Sequence, residues 1–230
     1  MNIEQLIAEI EFDLEWRSEE IRFLRNVVAR LDDNEERMRM RRALIVMLYA
    51  HFEGFSKFAF QVYVKQINAS KCRGEEVVYP ILAASVMKEI KGLNNLNQKA
   101  DIFRNDAPAD TELHLLARSI EFVERLAEIA AREIVLNEDD VVNTESNLTP
   151  VVMKKILFRL GFGYDDLASV AGSIQKLLGL RNGIAHGKIK AGLEDENYES
   201  IQRDVFALIN TVKRKVSVAI LNTAYLKGVA

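Results

Sequence analysis

The chain has 230 residues, 49% apolar and 28% charged, with 31 basic against 34 acidic side chains and a formal charge of −3. That length can bury a substantial core, and the mixed charge is the profile of a globular protein, which excludes fibrous and disordered classes. The near balance of signs also argues against a partner held by whole-molecule electrostatics.

Apolar residues at Ile3, Ile7, Ile10, Leu14, Ile21, Leu24, Val28 and Leu31 follow a three-to-four spacing, broken only where Arg17 takes the seam, and predict a long amphipathic helix. Asp32-Asp33-Asn34 ends it. A second helix is expected from about Glu36 to Ile67, apolar nearly all round at Leu44 to Phe52 and therefore the spine of the core. The aromatic series Phe52, Phe55, Phe58 and Phe60 reads as core. Residues 68–110 carry Gly74, Pro80, Gly92, Asn94, Asn95 and Pro108, and predict a loop-rich insertion with one short helix.

Helical spacing returns at Leu113, Leu116, Ile120, Val123, Ala127, Ala130 and Ile134 and stops at Asn137-Glu138-Asp139-Asp140, after which Val141-Val142 reads as a brief extended piece. Thr149-Pro150 is a helix start, the hydroxyl capping free amides and proline suiting the first turn. Gly161 suits a left-handed cap at that helix's end. Further helices are expected over about Asp165–Leu178 and Glu196–Leu226. The expected fold is all-α, a bundle of long antiparallel helices in one domain over 1–230.

Cys72 is the only cysteine, so no intramolecular disulfide can form, and with no sign of an oxidising compartment a cytoplasmic location is expected. Met1-Asn2-Ile3-Glu4 lacks the basic start of a secretory signal. The most apolar stretch, Ala43 to Phe52, falls short of the roughly 20 residues of a membrane helix, so no membrane association is expected.

Several chemistries can be set aside. Three histidines, His51, His114 and His186, and one cysteine do not make a zinc cluster at the usual spacings. His51-Phe52-Glu53 has the H-x-E form of a zinc deaminase without the paired cysteines that chemistry needs. Gly161-Phe162-Gly163 is not a dinucleotide fingerprint, and no GK[ST] loop occurs. No metal and no cofactor is expected. His51 and Glu53 are kept as supporting candidates, although on a core helix the reading as a satisfied buried pair ranks first.

What remains is Leu180-Arg181-Asn182-Gly183-Ile184-Ala185-His186-Gly187. From Ala168 to Leu193 the chain has no acidic residue, while Lys176, Arg181, Lys188 and Lys190 supply four cations. Guanidinium binds two phosphoryl oxygens and offsets charge developing on them. Imidazole moves protons near neutrality, and the carboxamide can orient either partner. On a regular helix Asn182 and His186 share a face, whereas Arg181 and His186 diverge by ~140°. A two-fold dimer placing two motifs side by side would meet that constraint without strain. A turn at Asn182-Gly183 stands level with a functional role for the asparagine. The basic cluster Arg37, Arg39, Arg41 and Arg42 reads as a solvated helix face.

The segment R-N-x-x-x-H resembles the R-x4-6-H motif of the HEPN superfamily. Leu48-Tyr49-Ala50-His51-Phe52-Glu53-Gly54-Phe55 and Asn143-Thr144-Glu145-Ser146-Asn147-Leu148 are similar to stretches in prokaryotic HEPN-like nucleases of toxin-antitoxin and defence operons. The resemblance implies a metal-independent endoribonuclease that acts as a homodimer on an RNA substrate and leaves a 2′,3′-cyclic phosphate, with an antitoxin or defence-operon product as partner. Arg181 would stabilise the transition state, His186 would transfer protons, Asn182 would position the phosphate or the histidine, and Lys176, Lys188 and Lys190 would hold flanking backbone. Two residues after the histidine stands Lys188, where some HEPN toxins carry a tyrosine modified by a partner enzyme; control by that route is not implied here. A non-catalytic HEPN module binding RNA, a nucleotide or a protein is the alternative.

Overall fold

The computed structural model describes residues 2–93, 95, 100–103, 111–163 and 168–228. Helix α1 (Ile3–Ala29) starts where the Asn2 side chain accepts from the Glu4 amide, and it buries Leu6, Ile10, Ile21 and Val28. The break in its seam is filled by charge: Arg17 Nε lies 2.7 Å from the buried Asp13 carboxylate, and its guanidinium covers the Trp16 ring at 4.6 Å. Gly54 on the next helix allows this, since a Cβ there would stand 2.8 Å from Arg17 Nη1.

Helix α2 (Asn34–Ser70), capped by Asp33, runs a few residues beyond both expected ends and is the spine, packed against α1, α8 (Ala168–Ala185) and α9 (Asp195–Leu221). The apolar stretch lies inside a helix of 37 residues that by length and hydropathy could cross a membrane, but 56% of its most apolar window is buried within the protein, as in a core helix. Phe52, Phe55 and Phe60 are buried, and Phe58 packs partly buried against them. Phe52 is fully enclosed, so Phe52→Ala is expected to cost about 3–5 kcal/mol, read as a lowered urea midpoint with an unchanged slope.

The segment after α2 carries more helix than its composition predicts. Described here are α3 (Tyr79–Ser85), α4 (Met87–Leu93) and a 3-10 turn at Asp101–Phe103. Proline at the first turn of α3 accounts for its start. The expectation for 94, 96–99 and 104–110 lies outside the described residues. Helix α5 (Thr111–Ile129) packs on α4 and stops before the expected Ile134, because the chain leaves it to pair: Ile134 N–H donates to the Cys72 carbonyl, and Arg73 bridges Glu133.

Val141-Val142 is not an extended piece. Glu138–Val141 forms the short helix α6, because Asn137 caps the Asp140 amide and three acids sit in the first turn, where the helix dipole favours them. Helix α7 (Pro150–Arg159) begins as expected, Thr149 Oγ1 accepting from the Val152 amide at 3.1 Å, and the chain turns at Gly161 with φ +77°.

Helix α8 extends well past Leu178 and carries Arg181 and Asn182 in its last turns, so the motif is not in the connection between helices; 164–167 lie outside the described residues. Asn182-Gly183 is helix, not turn. Gly183 has no side chain because Ile189 packs there, its Cδ1 2.7 Å from where a Cβ would stand, and the reversal comes at Gly187 with φ +70°. Helix α9 ends at Leu221 rather than Leu226, where Thr223 turns left-handed and Leu226 bridges Val77. Among the described residues these two isolated bridges are the whole of the β structure.

Candidate functional site

Three stretches far apart in sequence meet around Arg181. Its Nη1 donates to Asn182 Oδ1 at 2.8 Å and to Asn147 Oδ1 at 3.1 Å, and its guanidinium carbon lies 5.1 Å from the centre of the Tyr49 ring on α2. The Tyr49 hydroxyl accepts from the Leu148 amide at 2.8 Å, which fixes the Asn147 loop to the spine. Burial, with the Glu53 carboxylate as the second cause, pushes Tyr49 up to about 12, so it works as a neutral phenol.

The loop that presents Asn147 is built under strain. Glu145 and Ser146 are consecutive non-glycine residues at φ 50° and 67°, a conformation that costs of the order of 1–3 kcal/mol each. Local bonds hold it: Asn143 Oδ1 accepts from the Glu145 amide at 2.8 Å, the Asn147 amide donates to Thr144 at 3.0 Å, and Lys155 Nζ reaches both Glu145 oxygens at 2.8 and 2.9 Å.

The chemistry of these contacts is one-sided. Arginine only donates, so both carboxamide oxygens must face it and neither NH2 group is used on it. Among the described residues no carboxylate pairs with Arg181. A half-buried guanidinium held by neutral groups keeps its charge available for an anion.

His186 caps α8, its amide donating to the Asn182 carbonyl at 3.0 Å, so the helical turn continues through it and the histidine is exposed. Asn182 shares its face. Arg181, five positions earlier, leaves a regular helix ~140° from His186; its guanidinium lies over Tyr49 of α2 and reaches back to the Asn182 side chain. The chain after His186 forms a strap clamped to the start of α2: Ile189 N–H donates to Gly183 O at 2.8 Å, Arg42 Nη1 donates to the Lys190 carbonyl, Leu193 N–H donates to Met38 O at 2.9 Å, and Arg41 lies 3.1 Å from Asp195. Gly192 lies against Met38, where a Cβ would meet Met38 Cβ at 2.5 Å. The basic cluster is therefore only partly a solvated face: Arg39 is exposed and pairs with Glu35, while Arg41 and Arg42 hold the strap. Arg42→Ala should speed amide hydrogen exchange over 188–193, by about tenfold for one lost charged hydrogen bond, and leave exchange in α2 unchanged.

Lys188 and Lys190 sit exposed on this strap beside His186. Lys176 is on another side of α8, 4.0 Å from Asp204 of α9. His51 and Glu53 separate, as residues two apart on a helix do. His51 faces α1, buried, its Nε2 3.1 Å from Glu20 and its ring edge-on to Trp16, and burial lowers its pKa; Glu53 faces Tyr49. The partner of buried His51 is the half-exposed Glu20, not Glu53.

Composition and spacing single out Arg181, Asn182 and His186 but give no role to Tyr49, Asn147 or Arg42. The signal for the first two lies in the stretches around them that resemble HEPN-like nucleases. Arg42 leaves no signal, because it acts through a backbone carbonyl. No group of three His, Cys, Asp or Glu side chains stands together for a metal ion among the described residues.

An all-helical bundle with R-N-x-x-x-H at the end of a late helix defines a HEPN-type domain. The family model for MAE_28990-like HEPN matches residues 6–225, nearly the whole chain, and the protein belongs to that family. No curated protein and no solved structure matches it.

Proposed function

We propose that the protein is a metal-independent endoribonuclease. HEPN domains are often ribonucleases, and the observation that carries the reading here is Arg181, held by two carboxamide oxygens and the face of Tyr49 and paired with no carboxylate among the described residues. Such a group suits the non-bridging oxygens of a phosphodiester, whose charge grows in the transition state. The ribose 2′-hydroxyl loses its proton, its oxygen attacks the adjacent phosphorus, and the bond to the 5′-oxygen breaks as that oxygen takes up a proton. The products are a 2′,3′-cyclic phosphate and a 5′-hydroxyl. His186 moves the proton, Asn182 orients the phosphate, and Lys188 and Lys190 hold flanking phosphates. Lys176, on the α9 side, meets the strand farther along.

The working unit in this reading is a homodimer. Within one chain Arg181 turns inward and His186 outward, and a second copy across a two-fold axis supplies the missing half. In the host the enzyme acts as a toxin or anti-phage effector in the cytoplasm, restrained by an antitoxin or defence-operon partner. Incubation with end-labelled RNA in EDTA should give fragments with cyclic-phosphate ends, and His186→Ala should abolish them. Intact RNA with wild-type protein, or undiminished cutting by the variant, overturns the assignment, and RNA bound but uncut supports a non-catalytic module.

A further inference from the structure

We propose that Asn147 is a further catalytic residue, donating through its side-chain NH2 to a non-bridging oxygen of the phosphate that Arg181 binds. The proposal rests on the ribonuclease reading and assigns a role to a residue outside the R-N-x-x-x-H segment. Arg181 Nη1 uses its hydrogens on Asn147 and Asn182. Among the described residues nothing accepts from its Nε or Nη2, so three guanidinium N–H groups stay free. Each asparagine, with its oxygen committed to the cation, presents its NH2 beside that cation. Among the described residues the result is a patch rich in donors, three N–H groups of one arginine and two carboxamide NH2 groups, with the Glu53 carboxylate taken up by the Tyr49 hydroxyl.

This patch fits a phosphodiester better than it fits any cation or neutral ligand. Two non-bridging oxygens carry several lone pairs, and the planar fork of arginine takes two of them, leaving others for the amides. The way Asn147 is held points the same way. Two consecutive left-handed non-glycine residues precede it, Lys155 pins the strained turn through Glu145, and Tyr49 pins the amide that follows. Strain retained beside a functional arginine is the pattern of a preorganised site. A loop serving only to reverse the chain into α7 would relax with glycine at 145 or 146.

The test uses RNA carrying one sulfur in place of either non-bridging oxygen at the cleaved phosphate. Sulfur is a weak acceptor, so wild type should cut one diastereomer about tenfold more slowly than the other, the value of one charged hydrogen bond. In Asn147→Ala that ratio should fall to near one. A purely positional role for Asn147 would slow both substrates alike and keep the ratio, which would overturn the proposal. Asn147→Leu, which keeps the shape of the side chain and removes the donor without adding a charge beside Arg181, gives the same reading if the alanine variant does not fold. A second arm measures binding of an uncleavable 2′-O-methyl oligonucleotide by fluorescence anisotropy. Binding about tenfold weaker in Asn147→Ala, even if wild type cuts no RNA, keeps the donor patch and removes only the ribonuclease reading. Equal binding removes the patch.

Discussion

Arg181→Ala should lower single-turnover RNA cleavage by about 10²–10³, the effect of deleting one preorganised donor at a developing charge. The loss should be at the upper end, because among the described residues this donor is also the only cation of the inward-facing cluster, held there by Asn147, Asn182 and Tyr49. Arg181→Lys should recover little. Lysine offers a point charge without a planar fork, so it cannot meet both carboxamides while lying over the ring. Stability should change less than activity: the alanine variant leaves two part-exposed amide oxygens free to bind water and costs about 1 kcal/mol. Circular dichroism should match wild type. A variant that keeps more than a tenth of the wild-type rate with its fold intact would show that the charge on Arg181 does not act on the phosphate.

The limits of sequence reading show in particular residues. The long helices α1, α2 and α9 were legible because burial on one face imposes a 3.6-residue period that needs no knowledge of the partner helix. The caps at Thr149 and Gly161 were legible for the same reason, as local chemistry that the tertiary fold only confirms. The end of α8 was not. Gly183 looks like a turn residue until Ile189, six positions on, is seen lying where its side chain would be. Val141-Val142 was misread because two β-branched residues outweigh a cap that needs Asn137 to reach the Asp140 amide.

The site divides along the same line. Arg181 and His186 announce their chemistry by type, whereas Asn147 and Tyr49 matter only through what they touch. Separations of 34 residues between Asn147 and Arg181 and 99 between Tyr49 and Leu148 carry no periodic signal. Single-chain geometry also gives a reason for a dimer that the motif alone could only suggest. The bond from the His186 amide to the Asn182 carbonyl continues the helical turn through the motif, so Asn182-Gly183 does not reverse the chain between Arg181 and His186.

That geometry makes a sharper prediction than loss of function. Arg181→Ala and His186→Ala should each be inactive alone, yet a mixture allowed to exchange subunits should regain activity. If each phosphate is served by Arg181 of one copy and His186 of the other, a mixed dimer has one complete site and one lacking both groups. Random exchange makes half the dimers mixed, so recovery should reach about a quarter of the wild-type rate per site. The figure depends on the pairing rule and not on how strong either residue is. It is checked by mixing the purified variants at equal concentration, incubating through subunit exchange, and following cleavage of labelled RNA against the double variant as blank. Activity that stays at the blank while each variant alone remains dimeric would mean that both groups act from the same chain. His186 would then have to swing toward the Arg181 guanidinium, and release of the Arg42 clamp, which holds the strap closed on α2, would raise the rate rather than lower it.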